Sequence, residues 1–332
     1  MHFDYAMAIG SFLVAIVVGL TGMGGGALMT PMLVTFFGVP PLAAVSSDLV
    51  AAAVMKPIGS FVHFRRGTVD LRLVGWLCVG SVPAAFCGVL VADALGSGHD
   101  VQSVIKKAMG VALLLAAAGL IVRAYLAMVD RARQVRGTGR TRRTAAPGSP
   151  AATEPPAIFV RPIPTVLVGI VGGLIVGMTS VGSGSLIIVA LLALYPRLTG
   201  NQLVGTDLLQ AVPLVMSAAL GHLLFGDFQM DVTAALLVGS VPGVYIGSLI
   251  SSRAPGGLIR RALAFVLLAS ALKMFDVDNG VLAWTLAGML LVGSGAWMVL
   301  RRRKGLPALA STERRAAARR PAVRETTVRE TR

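Results

Sequence analysis

The sequence predicts an all-α polytopic membrane protein made of two inverted repeats of about four segments each, with broken or re-entrant glycine-rich helices and one extra C-terminal helix. Three observations predict this fold: an apolar composition, long apolar segments and a series of motifs that occurs twice. Of the 332 residues, 55% are apolar and only 14% are charged, and the mean hydropathy is +0.78. Soluble domains carry about 25% charged residues, so the composition indicates an integral membrane protein.

Nine apolar segments can each enter or cross a bilayer, whose hydrocarbon core takes about 20 helical residues. They cover about 6–38, 42–63, 73–93, 106–127, 163–195, 201–224, 232–251, 262–275 and 281–300. We therefore expect a first transmembrane repeat (1–127), a basic cytoplasmic linker (128–162), a second transmembrane repeat (163–280), a final transmembrane helix (281–300) and a disordered basic cytoplasmic tail (301–332). The number of complete crossings stays open between seven with two hairpins and eight or nine.

The formal net charge of +15 lies mostly outside these segments. Eighteen of the 30 Lys and Arg residues belong to Arg131–Arg143, to Arg161 or to the tail. Basic residues beside membrane helices mark the cytoplasmic side, which explains them better than a nucleic-acid partner does. We expect the lipid bilayer as a partner, with some contact to anionic lipid, and no nucleic acid. Cys78 and Cys87 lack metal-site spacing, and neither a metal nor a cofactor is expected.

Three ordered motifs of the first half recur in the second half at nearly constant spacing. They are Gly19-x-Thr21-x-x-Gly24-x-Gly26-x-Leu28 with Gly177-x-Thr179-x-x-Gly182-x-Gly184-x-Leu186, Val45-x-Ser47-Asp48-Leu49 with Val204-x-Thr206-Asp207-Leu208, and His63 with Gly80–Pro83 against His222 with Gly239–Pro242. The offset is 158 residues for the first motif (19 to 177) and 159 for the others (45 to 204), which one inserted residue explains. Three motifs in the same order indicate an internal duplication.

Charged residues after the two histidines indicate that the repeats are inverted. Arg65 and Arg66 follow the first histidine, whereas Asp227 and Asp231 follow its counterpart. By the positive-inside rule, one of these equivalent loops is cytoplasmic and the other lies outside.

The first apolar segment of each repeat is too long for a single crossing. Residues 6–38 and 163–195 would each extend roughly 48 Å as straight helix, against a hydrocarbon core of about 30 Å. A broken hairpin over 163–195, which returns to its starting side, places the basic tail on the cytoplasmic side. We therefore predict a cytoplasmic C-terminus.

Glycines interrupt both long segments, with hydroxyl residues beside them. Glycine is less favourable than alanine in a helix by about 1 kcal/mol, and a broken helix at membrane depth is tolerated only beside a buried or wet cavity. The N-terminus of a half-helix carries partial positive charge and N–H donors, which bind anions. We therefore predict a site for a small anion where the two breaks meet. The candidate residues are Thr21, Gly22, Gly24, Gly25 and Gly26 in the first break and Thr179, Ser180, Gly182, Ser183, Gly184 and Ser185 in the second.

Two other interpretations also fit these glycines. Gly22-x-x-x-Gly26 also fits close packing between helices that present small residues. Gly22-x-Gly24-x-x-Ala27 fits the loose dinucleotide fingerprint, but no soluble strand precedes it and a lone match is weak.

Ionisable residues inside the apolar segments are further candidates. Asp48 and Asp207 are equivalent, and a charge at the bilayer centre costs about 2.5–3.5 kcal/mol, so both should face a cavity. Either they bind backbone N–H groups at helix ends, or they carry protons. Lys56, a cation deep in an apolar run, is a candidate to bind the anion or a carboxylate. We add Ser47, Thr206 and Gln210 as substrate-binding candidates, and His63 and His222 as proton-coupling candidates, although histidines at segment ends commonly lie inert at the interface.

Three stretches resemble the motifs of the sulfite exporter TauE/SafE family of bacterial inner-membrane permeases: GLTGMGGGALMTPML, HFRRGTVD and GMTSVGSGSLIIVALLALYP. The resemblance covers about residues 6–300 and implies a multi-pass transporter with two repeats. It also implies that the cargo is sulfite, sulfoacetate or another small anion, that the proton gradient drives transport, and that Gly22–Gly26 and Gly182–Ser185 are the substrate region. The linker of this chain is longer and more basic than the resemblance leads us to expect.

We therefore expect a secondary transporter that exports a small anion, such as sulfite, an organosulfonate or a related sulfur oxyanion, from the cell through the bacterial inner membrane. Alternating access would take place around the two broken helices, coupled to the proton-motive force. An anion channel and a permease for small carboxylates are alternatives, and a membrane-embedded enzyme or a structural subunit are alternatives from another class. No metal-ligand cluster or serine triad supports catalysis, so we expect no enzyme. Whether the chain forms a homodimer stays open.

Overall fold

The structure is a computed structural model of the 332-residue chain, and it describes residues 4–21, 25–64, 69–96, 98–141, 160–182, 184, 186–195, 198, 200–251 and 256–303. All regular elements in these ranges are α-helices. In chain order they are α1 (Tyr5–Thr21), α2 (Gly26–Phe36), α3 (Pro41–Phe64), α4 (Leu71–Ala94), α5 (His99–Thr141), α6 (Pro162–Thr179), α7 (Leu186–Leu194), α8 (Gly200–Phe225), α9 (Met230–Ser251), α10 (Gly256–Met274) and α11 (Asn279–Arg303).

Seven of the described helices are long and apolar enough to cross a membrane, by length and composition. These spans are Pro41–Ile58, Leu71–Ala94, Asp100–Val122, Pro162–Thr179, Gly205–Phe225, Met230–Ile250 and Asn279–Leu300. The apolar helices α1, α2 and α10 are shorter. The predicted class of an all-α, multi-pass membrane protein is therefore confirmed.

Both over-long segments are broken at the glycines, as predicted. The first divides into α1 and α2 around residues 22–25, and the second divides into α6 and α7 around residues 180–185. Ser180 ends α6 with a positive φ of 57°, and Gly182 follows with a φ of 122°. These left-handed conformations cannot continue a right-handed helix, so the chain must turn there.

The fourth segment is longer than predicted. Composition places residues 128–141 in the linker, but α5 continues through Thr141. Residues 128–141 are therefore helical, beyond the point at which the linker was expected to begin. Residues 142–159 of the linker and 304–332 of the tail lie outside the described residues.

The chain divides into two compact units. Met1–Ala124 and Ala152–Leu282 form the first, which contains both helix breaks. Tyr125–Ala151 and Ala283–Arg332 form the second, in which Met128 is buried and packs against Trp297 and Leu300.

Glycines bring α1 and α9 into backbone contact. A Cβ added at each of three glycines of α9 would overlap backbone atoms of α1. The contacts are Gly239 with Ala8, Gly243 with Phe12 and Gly247 with Ile16. Both sets of residue numbers rise in steps of four, so the two helices run parallel, packed through small residues at every turn.

The same packing joins α6 to α4. The contacts are Gly169 with Leu77, Gly173 with Ser81 and Gly177 with Ala85, and these helices also run parallel. In the duplicated pattern α6 is the counterpart of α1, and α4 is the counterpart of α9. Each repeat therefore packs its first helix against the other repeat in an equivalent way.

The equivalent helices α3 and α8 run antiparallel. Ser46 near the start of α3 hydrogen-bonds His222 near the end of α8 at 2.8 Å, whereas Thr206 near the start of α8 accepts from the N–H of Asp70, just beyond α3, at 3.2 Å. The duplication pairs Thr206 with Ser47 and Asp70 with Gln229, and this second pair is also hydrogen-bonded. Ser47 donates to the carbonyl of Gln229 at 3.5 Å. A two-fold axis perpendicular to the helices would relate the repeats in this way. The orientation of the repeats in a bilayer stays a prediction.

The predicted hairpin over 163–195 fits these helix directions. Residues of α8 also meet α4 in parallel order, with Gln210 at Ser81 and Gly221 beside Phe86. Because α6 and α8 both run parallel to α4, α7 must return the chain to the end at which α6 began.

Inverted repeats predict that the loops after α3 and after α8 lie on opposite sides of the membrane. Labelling of single cysteines tests this arrangement of the loops. The background chain has Cys78 and Cys87 replaced by serine, and each variant adds one cysteine, Arg66→Cys or Asp227→Cys. In intact cells, a membrane-impermeant maleimide should label Asp227→Cys and not Arg66→Cys, and permeabilised cells should label both. Labelling of both cysteines in intact cells would refute the inversion.

Candidate functional site where the helix breaks meet

The two helix breaks touch each other at Gly26 and Ser180. Gly26 begins α2, and Ser180 follows the last residue of α6. A Cβ added at Gly26 would overlap the backbone carbonyl and the hydroxyl group of Ser180, with the carbonyl carbon only 2.7 Å away. Only glycine allows the start of one half-helix to approach the end of the other this closely.

Among the residues that the structure describes, no side chain caps the start of α2. Gly25 occupies the N-cap position with helical angles (φ −60°, ψ −34°), and its carbonyl accepts from the N–H groups of Leu28 and Met29 at 2.9 Å. The positive end of the helix dipole therefore points into the break, next to Ser180.

The carboxyl group of Asp48 joins three helices at this point. Its Oδ2 accepts hydrogen bonds from Thr30 Oγ1 of α2 at 2.8 Å and from Ser180 Oγ at 2.7 Å. Asp48 in α3 is fully buried, and its Oδ1 has no hydrogen-bond partner among the residues that the structure describes. The sequence leaves the role of Asp48 open between binding backbone N–H groups and carrying protons. The partners of its Oδ2 are two hydroxyl groups, and the proton-carrying role stays a prediction.

Thr30 is a site residue that sequence reasoning missed. It lies on α2 one turn after Gly26 and is fully buried. Its place inside the glycine-rich motif was the available signal, but only packing brings its hydroxyl group to Asp48.

The second carboxylate has different surroundings. The duplication pairs Asp48 with Asp207, but it pairs Thr30 with Ile188 and Ser180 with Gly22, neither of which carries a hydroxyl group. Asp207 is fully buried, and the ammonium group of Lys56 interacts electrostatically with it and, less strongly, with Asp48. The two equivalent acids are thus not chemically equivalent.

His222 is fully buried inside the protein, and its role in proton coupling stays a prediction. Its Nε2 lies 2.8 Å from the carbonyl oxygen of Gly177, and its Nδ1 lies 2.8 Å from Ser46 Oγ. A carbonyl only accepts, so Nε2 carries the hydrogen and donates it. Gly177 is in the last turn of α6, where carbonyls lack helical partners, so His222 satisfies the broken end of that helix.

We expect His222→Leu to destabilise the protein, because it leaves the buried Gly177 carbonyl without this donor, at a cost of about 1–3 kcal/mol. His222→Gln keeps an N–H donor of similar reach and should destabilise less. Thermal unfolding of the two variants in detergent measures the difference. Equal midpoints would show that the hydrogen bond to Gly177 contributes nothing.

The remaining polar candidates are buried but bind elsewhere. Gln210 donates from Nε2 to Ser81 Oγ of α4 at 2.6 Å, and its Oε1 has no partner within the described part of the chain. Ser47 and Thr206 bond backbone groups of Gln229 and Asp70, as described above. These three residues therefore do not belong to the cluster around Asp48.

The other candidates around the breaks include three residues that the structure places and several that it does not describe. Gly182 and Gly184 are buried, and Thr179 is buried with its hydroxyl group donating to the Ile175 carbonyl at 2.6 Å. The others lie outside the described residues, or their side chains do: Gly22, Gly24, Ser183 and Ser185, and the side chains of Thr21 and His63.

Comparisons with known proteins agree with the motifs. Residues 7–274 match the family described as Sulfite exporter TauE/SafE. The chain is 36% identical over 262 residues to "Probable membrane transporter protein YjnA" of Bacillus subtilis, covering 79% of this chain and 95% of the relative. It is 23% identical over 254 residues to "Probable membrane transporter protein YdhB" of the same organism, covering 76% and 92% of the two chains.

A third relative, "Probable membrane transporter protein" of Xylella fastidiosa, is 26% identical over 264 residues, which cover 78% of this chain and 90% of the relative. No solved structure matches the chain significantly. The family match spans most of the sequence and includes both helix breaks and the helices that carry the two acids. The chain therefore belongs to the sulfite exporter TauE/SafE family and is a multi-pass membrane transporter.

Proposed function

We propose that this protein is a secondary transporter of a small anion, such as sulfite, an organosulfonate or a related sulfur oxyanion, in the bacterial inner membrane with its C-terminus in the cytoplasm. The family name suggests export as the physiological direction. The observation that carries the proposal is the contact between the two helix breaks, with the hydroxyl groups of Ser180 and Thr30 gathered there.

The chemistry of the break suits a small anion. The uncapped N-terminus of α2 supplies a positive dipole end, and hydroxyl groups supply hydrogen-bond donors. Glycine at position 26 keeps side chains out of the contact. Broken helices that meet in this way form the substrate site in several transporter folds.

The packing of the repeats supports alternating access around this point. Parallel glycine contacts build two pairs, α1 with α9 and α6 with α4, and each pair contains one helix from each repeat. Antiparallel packing of α3 with α8 is what inverted repeats require. Rocking of one pair against the other would open the break to either side in turn.

A buried carboxyl group at the break supports coupling to protons. Asp48 is the titratable group nearest to the contact between the breaks, since it bonds Ser180 directly. An acid in the membrane interior that is not fully hydrogen-bonded commonly takes part in proton transfer.

Flux measurements with purified protein in liposomes test the proposal. Vesicles challenged with sulfite, thiosulfate, sulfoacetate and small carboxylates should take up at least one of these anions, and a pH gradient should change the rate. Absence of flux for every anion from folded protein would refute the transporter function. Flux that does not depend on the pH gradient and does not saturate with anion concentration would favour an anion channel.

A further inference from the structure

In this structure, Asp48 occupies the position of an anion at the candidate site. A substrate anion at the break would need hydrogen-bond donors, and the two hydroxyl groups there, from Ser180 and Thr30, already donate to Asp48 Oδ2. The carboxylate and the substrate therefore compete for the same donors. Asp48 satisfies both donors in this structure.

The sequence provides little positive charge to hold a second anion beside this carboxylate. Within α1, α2, α3, α6, α7 and α8, the acidic and basic residues apart from histidine are Asp48, Lys56 and Asp207. With both acids ionised these helices carry one net negative charge. An added anion would meet strong repulsion, because charges interact far more strongly in a low-dielectric interior than in water.

Groups from the helices around Asp48 define its electrostatics, and α9, which also packs against α3, has Asp231 as its one charged residue, exposed in its first turn. α2 and α6 contribute Thr30 and Ser180 and contain no charged residue. α3 itself contributes Lys56, which also interacts with Asp207 of α8. The imidazole of His222 is bonded to Ser46 and Gly177, so it is not a hydrogen-bond donor to Asp48.

We propose that the transporter carries a singly charged anion together with one proton, and that the proton binds Asp48 Oδ1. This inference rests on the proposed function and adds its coupling and substrate charge. Oδ1 is the oxygen without a described partner, so it can accept the proton before either hydrogen bond to Oδ2 breaks. The neutral acid then releases Ser180 and Thr30 to the substrate, and its new O–H group donates to the anion.

The cycle balances in charge and in protons. Loading adds one proton and one monovalent anion, so the loaded site has the same net charge as the empty site. After release, Asp48 is again ionised and takes back both hydroxyl donors. The anion and the proton therefore move in the same direction, and an inward proton gradient favours uptake. Export then requires an outward anion gradient that exceeds the proton gradient.

Proteoliposomes containing the full chain test this coupling, with methanesulfonate as a monovalent probe and sulfate as a divalent probe. The membrane potential is clamped at zero with potassium and valinomycin, and the outside is made acidic. We expect methanesulfonate entry with acidification of the lumen, and sulfate entry at least tenfold slower. Under symmetrical pH, an imposed potential should leave the methanesulfonate rate unchanged.

Asp48→Asn provides the matched variant, because its amide resembles the protonated acid in shape and hydrogen bonding. It should still exchange labelled for unlabelled methanesulfonate, but it should lose both lumen acidification and dependence on external pH. Ser180→Ala and Thr30→Val should raise the KM for methanesulfonate at least tenfold and should retain coupling.

Three results would overturn the inference: alkalinisation of the lumen during anion entry, a preference for sulfate, or proton coupling that survives in Asp48→Asn. The wild-type measurements decide the first two even if the variant fails to fold. Failure of the proposed function is a distinct outcome, since wild-type protein would then move none of the anions in the wider panel.

Discussion

Gly26→Ala is expected to reduce transport at least tenfold while the protein still inserts into the membrane. The added methyl group would overlap the Ser180 carbonyl and hydroxyl group, so the start of α2 and the end of α6 must separate. Their separation breaks the hydrogen bond from Ser180 to Asp48. A hydrogen bond to a charged group contributes about 1.5–3 kcal/mol. Because each 1.4 kcal/mol changes an equilibrium tenfold, flux should fall by about tenfold to a hundredfold.

Gly25→Ala provides a comparison one residue away. Within the described part of the chain, its added Cβ would meet only the Met55 methyl group, at 3.3 Å, and that flexible side chain can move aside. We expect a clearly smaller loss of flux in liposomes than for Gly26→Ala at equal protein content. A larger loss for Gly25→Ala would show that the contact with Ser180 is not what transport requires.

Gly80→Leu is expected to destabilise the protein strongly. Gly80 in α4 lies against Val166 and Ile170 of α6, with the Ile170 nitrogen 3.0 Å from an added Cβ. A leucine there must push the two backbones apart along a face that packs through small residues. Overpacking in a closely packed interior costs about 1–3 kcal/mol, and displacement of two backbones should reach at least the upper end.

Gly75→Leu is the matched control in the same helix. Apart from the neighbouring backbone of α4 itself, no atom of the described residues lies within 4 Å of a Cβ added at Gly75, and the residue is exposed. We expect a thermal unfolding midpoint in detergent close to that of the unmodified protein. Gly80→Leu should lower the midpoint by several degrees or yield aggregated protein. Similar behaviour of both variants would exclude close packing of α4 on α6 as a source of stability.

Most of the fold could be predicted because the bilayer imposes strong local constraints. A spanning helix must be long and apolar, and a break must contain residues that tolerate a turn, so hydropathy and glycine positions located the helices and both interruptions. The end of α5 was missed, since polar helical residues outside the apolar segments give no hydropathy signal.

The partners inside the site were harder to predict, because they come from distant parts of the chain. Asp48 was recognised as a buried acid, but its bond to Ser180 crosses 132 positions of sequence. His222 was placed at an interface by its position in the segment, whereas its contacts with Ser46 and Gly177 bury it. Gln210 was proposed for substrate binding but bonds Ser81, a residue with no distinguishing sequence pattern.

By itself, the sequence determined the membrane class, the family, the duplication and the two helix breaks. Each of these follows from local composition or from sequence motifs, and none of them depends on which helices touch. Only the tertiary structure decided that the breaks meet at Gly26 and Ser180, and that Asp48 takes the hydroxyl donors there while Asp207 has other surroundings. The physical reason is that duplicated motifs predict equal sites, whereas hydrogen bonds and charge depend on which side chains packing brings together.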